Sequence, residues 1–119
     1  MKVLMRGVHL TLTDSLRDYL QEHLVSHIER YADDEAAEID ISLVDINGPK
    51  GGVDKECRAT VRMPNFAAIH VTEAAETLFQ AIDAARDRLE RSVRKAVERR
   101  REVRTDGLPD DVAANVPTY

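Results

Sequence analysis

The chain has 119 residues, room for one domain and little left for a second. It carries 17 Lys and Arg against 22 Asp and Glu, a formal charge of −5, with 33% charged and 43% apolar residues, the balance of a globular domain with a small core. Cys57 is the single cysteine, which excludes an internal disulfide and a multi-cysteine metal site; no apolar run reaches the roughly 18 residues of a membrane helix, and without a secretory leader pattern the expected location is the cytoplasm.

Residues 2–8 read as an edge-type strand ending near Gly7. Thr11 to Asp14 offer capping oxygens, with Thr13 the expected N-cap of a helix over residues 14–31 whose apolar stripe is Leu16, Leu20, Leu24, Ile28 and Tyr31. After an acidic connector, residues 38–46 alternate, Ile39, Ile41 and Leu43 on one face and Asp40, Ser42 and Val44 on the other. Residues 47–52 (Asn-Gly-Pro-Lys-Gly-Gly) read as a loop. Residues 53–63 alternate again, with Cys57, Ala59, Val61 and Met63 inward, and Pro64 and Asn65 make a turn. Ala67, Ile69 and Val71 set a fourth strand over 67–72. Thr77 with Gln80 has the capping-box spacing, opening a long helix to about Val103 with the stripe Leu78, Ile82, Ala85, Leu89, Val93 and Ala96. The expected fold is α+β, in the order β-α-β-β-β-α, with a four-stranded sheet and both helices on one face. Residues 1–104 form the expected domain, and 105–119, with two prolines, a glycine and three acids, an expected disordered acidic tail.

Charge is unevenly spread. Residues 1–77 carry a net −6, residues 78–104 a net +4 and residues 105–119 a net −3. Setting Leu89 at zero on a helical wheel, Arg88, Arg91, Lys95 and Arg99 fall at about 260°, 200°, 240° and 280°, while Asp83, Asp87 and Glu90 occupy another flank. The four cations form a strip roughly 16 Å long. Such a row can meet a phosphate backbone, with counterion release supplying free energy and Arg able to grip phosphate through two N–H groups. The competing reading is a solvated helix face paired to Glu98 and Glu102. Arg99, Arg100 and Arg101 extend the basic patch past the packed stripe.

Other constellations are weaker. His23 and His27 have the i,i+4 spacing of two zinc ligands, but no H-E-x-x-H glutamate and no evident third ligand, so they read as boundary histidines. The glycine-rich loop lacks the G-K-[ST] ending of a phosphate loop; it reads as a hairpin connection, or else as an arm touching a partner through Lys50 and Lys55. Cys57 reads as a buried small apolar residue. Nothing argues for an enzyme, a metal, a cofactor or a small-molecule substrate.

In sequence the chain resembles the ribosome hibernation-promoting factor family, also called ribosome-associated inhibitor or sigma-factor modulation proteins. The resemblance covers about residues 1–104. It rests on Gly7 with Leu12-Thr13-Asp14-Ser15-Leu16-Arg17-Asp18-Tyr19, on Ile28-Glu29-Arg30-Tyr31, and above all on Ala81-Ile82-Asp83-Ala84-Ala85-Arg86-Asp87-Arg88-Leu89-Glu90-Arg91. The stretch from Asp45 to Lys55 resembles a longer-loop subset of the family.

The resemblance implies a fold similar to a double-stranded-RNA-binding domain. It implies a small-ribosomal-subunit partner, rRNA and ribosomal proteins together, bound in the channel used by mRNA and tRNA, and silencing of translation under stress or in stationary phase. Carried over by position, Arg88, Arg91, Lys95 and Arg99 match family basic positions. The same expectation of rRNA binding extends to Arg86, Arg94, Arg30, His23 and His27. A free monomer and no membrane are expected. Two departures stand out: His23 and His27 replace what are usually lysines, beside an outward strip of Asp18, Glu22 and Glu29, and the residues after the second helix are too few for the ribosome-pairing domain of longer members. A second hypothesis is a protein-interaction regulator of a sigma factor or another stress component, motivated by the acidic first helix and the net charge of −5; a third is an enzyme with an unrecognised site, for which a deep pocket holding His23, His27 and a carboxylate would be the sign.

Overall fold

Alternation of apolar and polar residues builds four strands: β1 (Lys2–Val8), β2 (Glu38–Asp45), β3 (Lys55–Arg62) and β4 (Ile69–Ala75). They are described here from a computed structural model that covers residues 1–46 and 54–105, with side chains as far as Arg100. The spatial order is β1-β2-β3-β4. β1 runs parallel to β2, as a strand returning after a crossover helix does, while β2, β3 and β4 form an antiparallel meander. The inward residues Ile39, Ile41, Leu43, Cys57, Ala59 and Val61 are fully buried. Residues 47–53 and 106–119, and with them the predicted loop and nearly all of the predicted tail, lie outside the described residues.

Both helical regions cover the same face of this sheet. The first is α1 (Asp14–Leu20), a π-helical turn (Gln21–Val25) and α2 (Ser26–Glu29). Thr13 caps it as expected, accepting from the Leu16 N–H at 3.2 Å. The single helix predicted over 14–31 is thus interrupted and ends earlier. The Ser26 N–H donates to the Gln21 carbonyl five residues back, and the Ser26 hydroxyl donates to the Glu22 carbonyl at 2.6 Å. The wider turn brings both Leu24 and Val25 into the core, where a regular stripe would place Leu24 alone.

The second helix is α3 (Leu78–Thr105). Thr77 accepts from the Gln80 N–H at 3.1 Å, so the N-cap forms as the sequence predicts. Ala81, Ile82, Ala85, Leu89 and Val93 are fully buried, whereas Leu78, Ala96 and Val97 are half-buried. Ala81 joins the expected stripe and the deep packing stops at Val93. β4 also differs from expectation. Ala67 and Ala68 are exposed and the strand runs on to Ala75, which places Glu73 opposite Cys57 on the helix-facing side at the sheet edge. The turn before it closes through the Phe66 N–H donating to the Met63 carbonyl at 3.1 Å, with Asn65 at φ 68°, a left-handed conformation Asn tolerates.

Gly7 is required for a different reason: close approach. A Cβ there would lie 2.7 Å from the Leu10 carbonyl oxygen and 2.8 Å from Leu10 Cδ1, in the turn where His9 takes φ 61°. Gly7→Ala should therefore destabilise the fold by about 1–3 kcal/mol. Thermal melting followed by circular dichroism checks this; an unchanged midpoint would show that the β1–α1 turn yields freely.

Candidate nucleic-acid interface

The buried stripe of α3 sets the direction of its charges. With Ile82, Ala85, Leu89 and Val93 against the sheet, Arg91, Lys95 and Arg99 are exposed, and none is ion-paired to another described residue. They recur every four residues, about 6 Å along the axis. Glu98, the carboxylate that would neutralise them on the solvated-face reading, is exposed and makes no ion pair with a described residue. Like charges at i,i+4 repel by a few tenths of a kcal/mol per pair, so helix stability does not explain the row.

Arg88 behaves differently. It remains 57% exposed, but its Nη1 donates to Glu73 Oε2 at 2.8 Å. Glu73 reaches it because β4 extends to Ala75 with Glu73 facing the helix. The sequence hides this partner, since a strand predicted to stop at residue 72 leaves Glu73 in a connector.

The rest of the predicted set does not join this row. Arg86 lies on the α1-facing flank of α3, where it pairs with Asp87 at 2.9 Å and Asp83 at 3.9 Å. On the same flank His27 Nδ1 stands 3.7 Å from Glu90 Oε1, and His23 stacks on Tyr19 with ring centroids 4.0 Å apart. The Tyr19 hydroxyl donates to Asp83 at 2.9 Å. Its pKa is raised, first by partial burial between the helices and then by that bond. The two histidines are therefore half-buried seam residues between helices, not a free cationic surface. Arg30, at the C-cap of α2, and Arg94 are exposed without a described ion-pair partner.

Arg100 departs from the expected extension of the basic patch. Its guanidinium lies 5.1 Å from the centroid of the Phe66 ring and donates to the Asn65 carbonyl, fastening α3 to the β3–β4 turn. A cleft of about 360 Å³ opens beside it, lined by Tyr31, Asp33, Asp34, Met63 and Phe66 among others. Cys57 is fully buried, and burial pushes its thiol pKa up to about 12, so it packs as an apolar residue. The opposite sheet face carries cations that are already neutralised: Arg6 by Asp40 at 3.2 Å, Arg58 by Glu56 at 2.9 Å and Arg62 by Glu38 at 3.5 Å.

Comparison with known proteins adds a lineage to this geometry. The family model for Sigma 54 modulation protein / S30EA ribosomal protein matches residues 3–101. The chain is 31% identical over 113 residues to the ribosome hibernation promotion factor of Bacillus subtilis, a match covering 92% of this chain and 56% of that protein. It is 26% identical over 121 residues to the ribosome hibernation promotion factor of a Picosynechococcus species, covering 93% and 60%. It thus spans little more than half the length of these relatives. Among solved structures, the Thermus thermophilus Protein Y N-terminal domain superposes with a TM-score of 0.67 at 29% identity, covering 80% of this chain and 98% of that one. A ribosomal subunit interface protein from Coxiella burnetii, at 23% identity and a TM-score of 0.63 over 80% and 96% of the two chains, shares the fold.

The Arg88–Glu73 pair generates a directional prediction. Glu73→Gln removes the internal competitor for Arg88 and should tighten binding to a single-stranded RNA probe by roughly two- to threefold at low salt, the scale of one exposed ion pair. Fluorescence anisotropy measures it, and weaker binding would show that Glu73 instead positions Arg88 for its partner.

Proposed function

The chain belongs to the Sigma 54 modulation protein / S30EA ribosomal protein family, and from that premise we propose that it is a ribosome-associated translation inhibitor. On this reading residues 1–104 bind the small ribosomal subunit in the mRNA and tRNA decoding channel and silence or protect ribosomes under stress or in stationary phase. The partner is rRNA with neighbouring ribosomal proteins, and the protein acts by occupancy, without catalysis, from the cytoplasm. The names of the two curated relatives support a role in ribosome hibernation.

The observation that carries the reading is the row Arg91, Lys95 and Arg99, exposed and without an ion-pair partner among the described residues. In a chain of net charge −5, free cations gathered on one helix face are what a polyphosphate partner meets. Arg88, Arg94 and Arg30 supply further contacts at its margins. Arg86, His23 and His27 belong to the inter-helix seam and contribute through its flank.

A second reading has its own observation. Asp14, Asp18, Glu22 and Glu29 on the first helical region are exposed and make no ion pair with a described residue, a surface suited to a basic protein segment. On this reading the chain regulates a sigma factor or another stress component.

Sucrose-gradient sedimentation of stationary-phase lysates separates the two. The protein should travel with small subunits or whole ribosomes at low salt. The double variant Arg91→Glu, Lys95→Glu should move it to the top of the gradient while leaving the melting midpoint within about 1–2 °C, because both side chains point away from the core. The salt dependence of binding should flatten by roughly one unit of slope for each phosphate that the variant no longer meets. Wild-type protein found only at the top of the gradient, or ribosome binding indifferent to salt, would sink the RNA-contact reading and favour the second.

A further inference from the structure

The sequence offers little aromatic surface, five Phe and Tyr in all, yet among the described residues one ring is left in the open. Phe79, in the first turn of α3, is 47% exposed. Its position is not loose. The ring meets Tyr19 edge-on with centroids 4.8 Å apart and planes at 72°, Tyr19 stacks on His23, and the Tyr19 hydroxyl is tied to Asp83. Three rings from two helices thus form a braced step whose outer member faces solvent. An aromatic face already ordered by its neighbours loses little freedom when a planar partner stacks on it.

The charges around the step suit a nucleobase more than an apolar side chain. Asp83 lies one helical turn from Phe79, 43% exposed, and Arg86 lies two turns away on the same flank, about 10 Å along the axis. A carboxylate beside the ring repels phosphate from the ring itself and accepts hydrogen bonds from an exocyclic amino group. Arg86 is held by Asp87 and Asp83, so the group these surroundings suit is a base edge and not a phosphate. We infer that the exposed face of Phe79, braced by Tyr19 and His23, is a stacking step for one unpaired RNA base bearing an exocyclic amino group. This rests on the reading that RNA reaches α3, and adds to its phosphate row a contact with a base.

The probe is a twelve-nucleotide single-stranded oligoadenylate carrying one 2-aminopurine, with an oligouridylate of the same length as its counterpart. The full chain should bind the adenine strand more tightly than the uridine strand and quench 2-aminopurine. Phe79→Ala and Phe79→Leu should each weaken adenine-strand binding by about tenfold, abolish the quenching and the preference for adenine, and leave the salt slope unchanged. Phe79→Trp should restore all three. Phe79→Leu retains the apolar contact with Tyr19, so it decides the question if Phe79→Ala melts early. Binding, quenching and preference unaltered in Phe79→Leu would overturn the stacking step and leave the phosphate row standing. Abolished RNA binding in Arg91→Glu, Lys95→Glu together with normal behaviour of the Phe79 variants would overturn the step in the same way. Failure of the unmodified chain to bind either strand at low salt would overturn both readings. Weakened sedimentation with ribosomes but unchanged oligonucleotide binding in Phe79→Leu would assign the ring to a protein contact and overturn the RNA base.

Discussion

The apolar seam between α3 and the sheet governs the rest of this molecule. Ile82, Ala85, Leu89 and Val93 are fully buried where α3 packs on β3 and β4, the larger of these side chains each contributing on the order of 1.5–3 kcal/mol. Rotating α3 about its axis would expose that stripe, so its azimuth is held by the core. Once the azimuth is set, Arg91, Lys95 and Arg99 have one direction to point, and it is outward. The strip of cations is a consequence of hydrophobic packing on the reverse side of the same helix.

Charge is partitioned by partner availability. On the open sheet face Arg6, Arg58 and Arg62 are neutralised by Asp40, Glu56 and Glu38. The flank of α3 that meets the first helical region closes on itself through Tyr19 with Asp83 and His27 with Glu90. Among the charges left without an ion pair to a described residue are the cationic row on one side and the acids of α1 and its continuation on another. A net negative chain can therefore present a locally positive surface, because its acids are engaged internally or displayed elsewhere.

His23 and His27 lie on the side of the first helical region that meets α3. Both histidines are half-buried at the seam, one against an aromatic ring and one near a carboxylate. Turned into the seam, they add packing between the helices, and the row of exposed cations lies on α3. The π-helical turn serves the same packing, admitting both Leu24 and Val25 to the core.

How far the sequence could be read follows from the range of the interactions. Strand alternation, the Thr13 and Thr77 caps and the apolar stripe of α3 are local patterns with periods of two or 3.6 residues, so the β-α-β-β-β-α order and the outward row of Arg91, Lys95 and Arg99 were visible in the residues alone. Partnerships across long stretches of chain were not. Glu73 meets Arg88 because β4 runs three residues further than its alternation suggests, Asp83 holds a tyrosine 64 residues away, and Arg100 leaves the basic patch for a turn 35 residues behind it. The π-helical turn likewise has no periodic signature; it arises where two adjacent apolar side chains both find space in the core. A helix's own stripe tells which side of it faces solvent, but which charges on that side stay free is settled by the neighbours that the folded chain brings within reach.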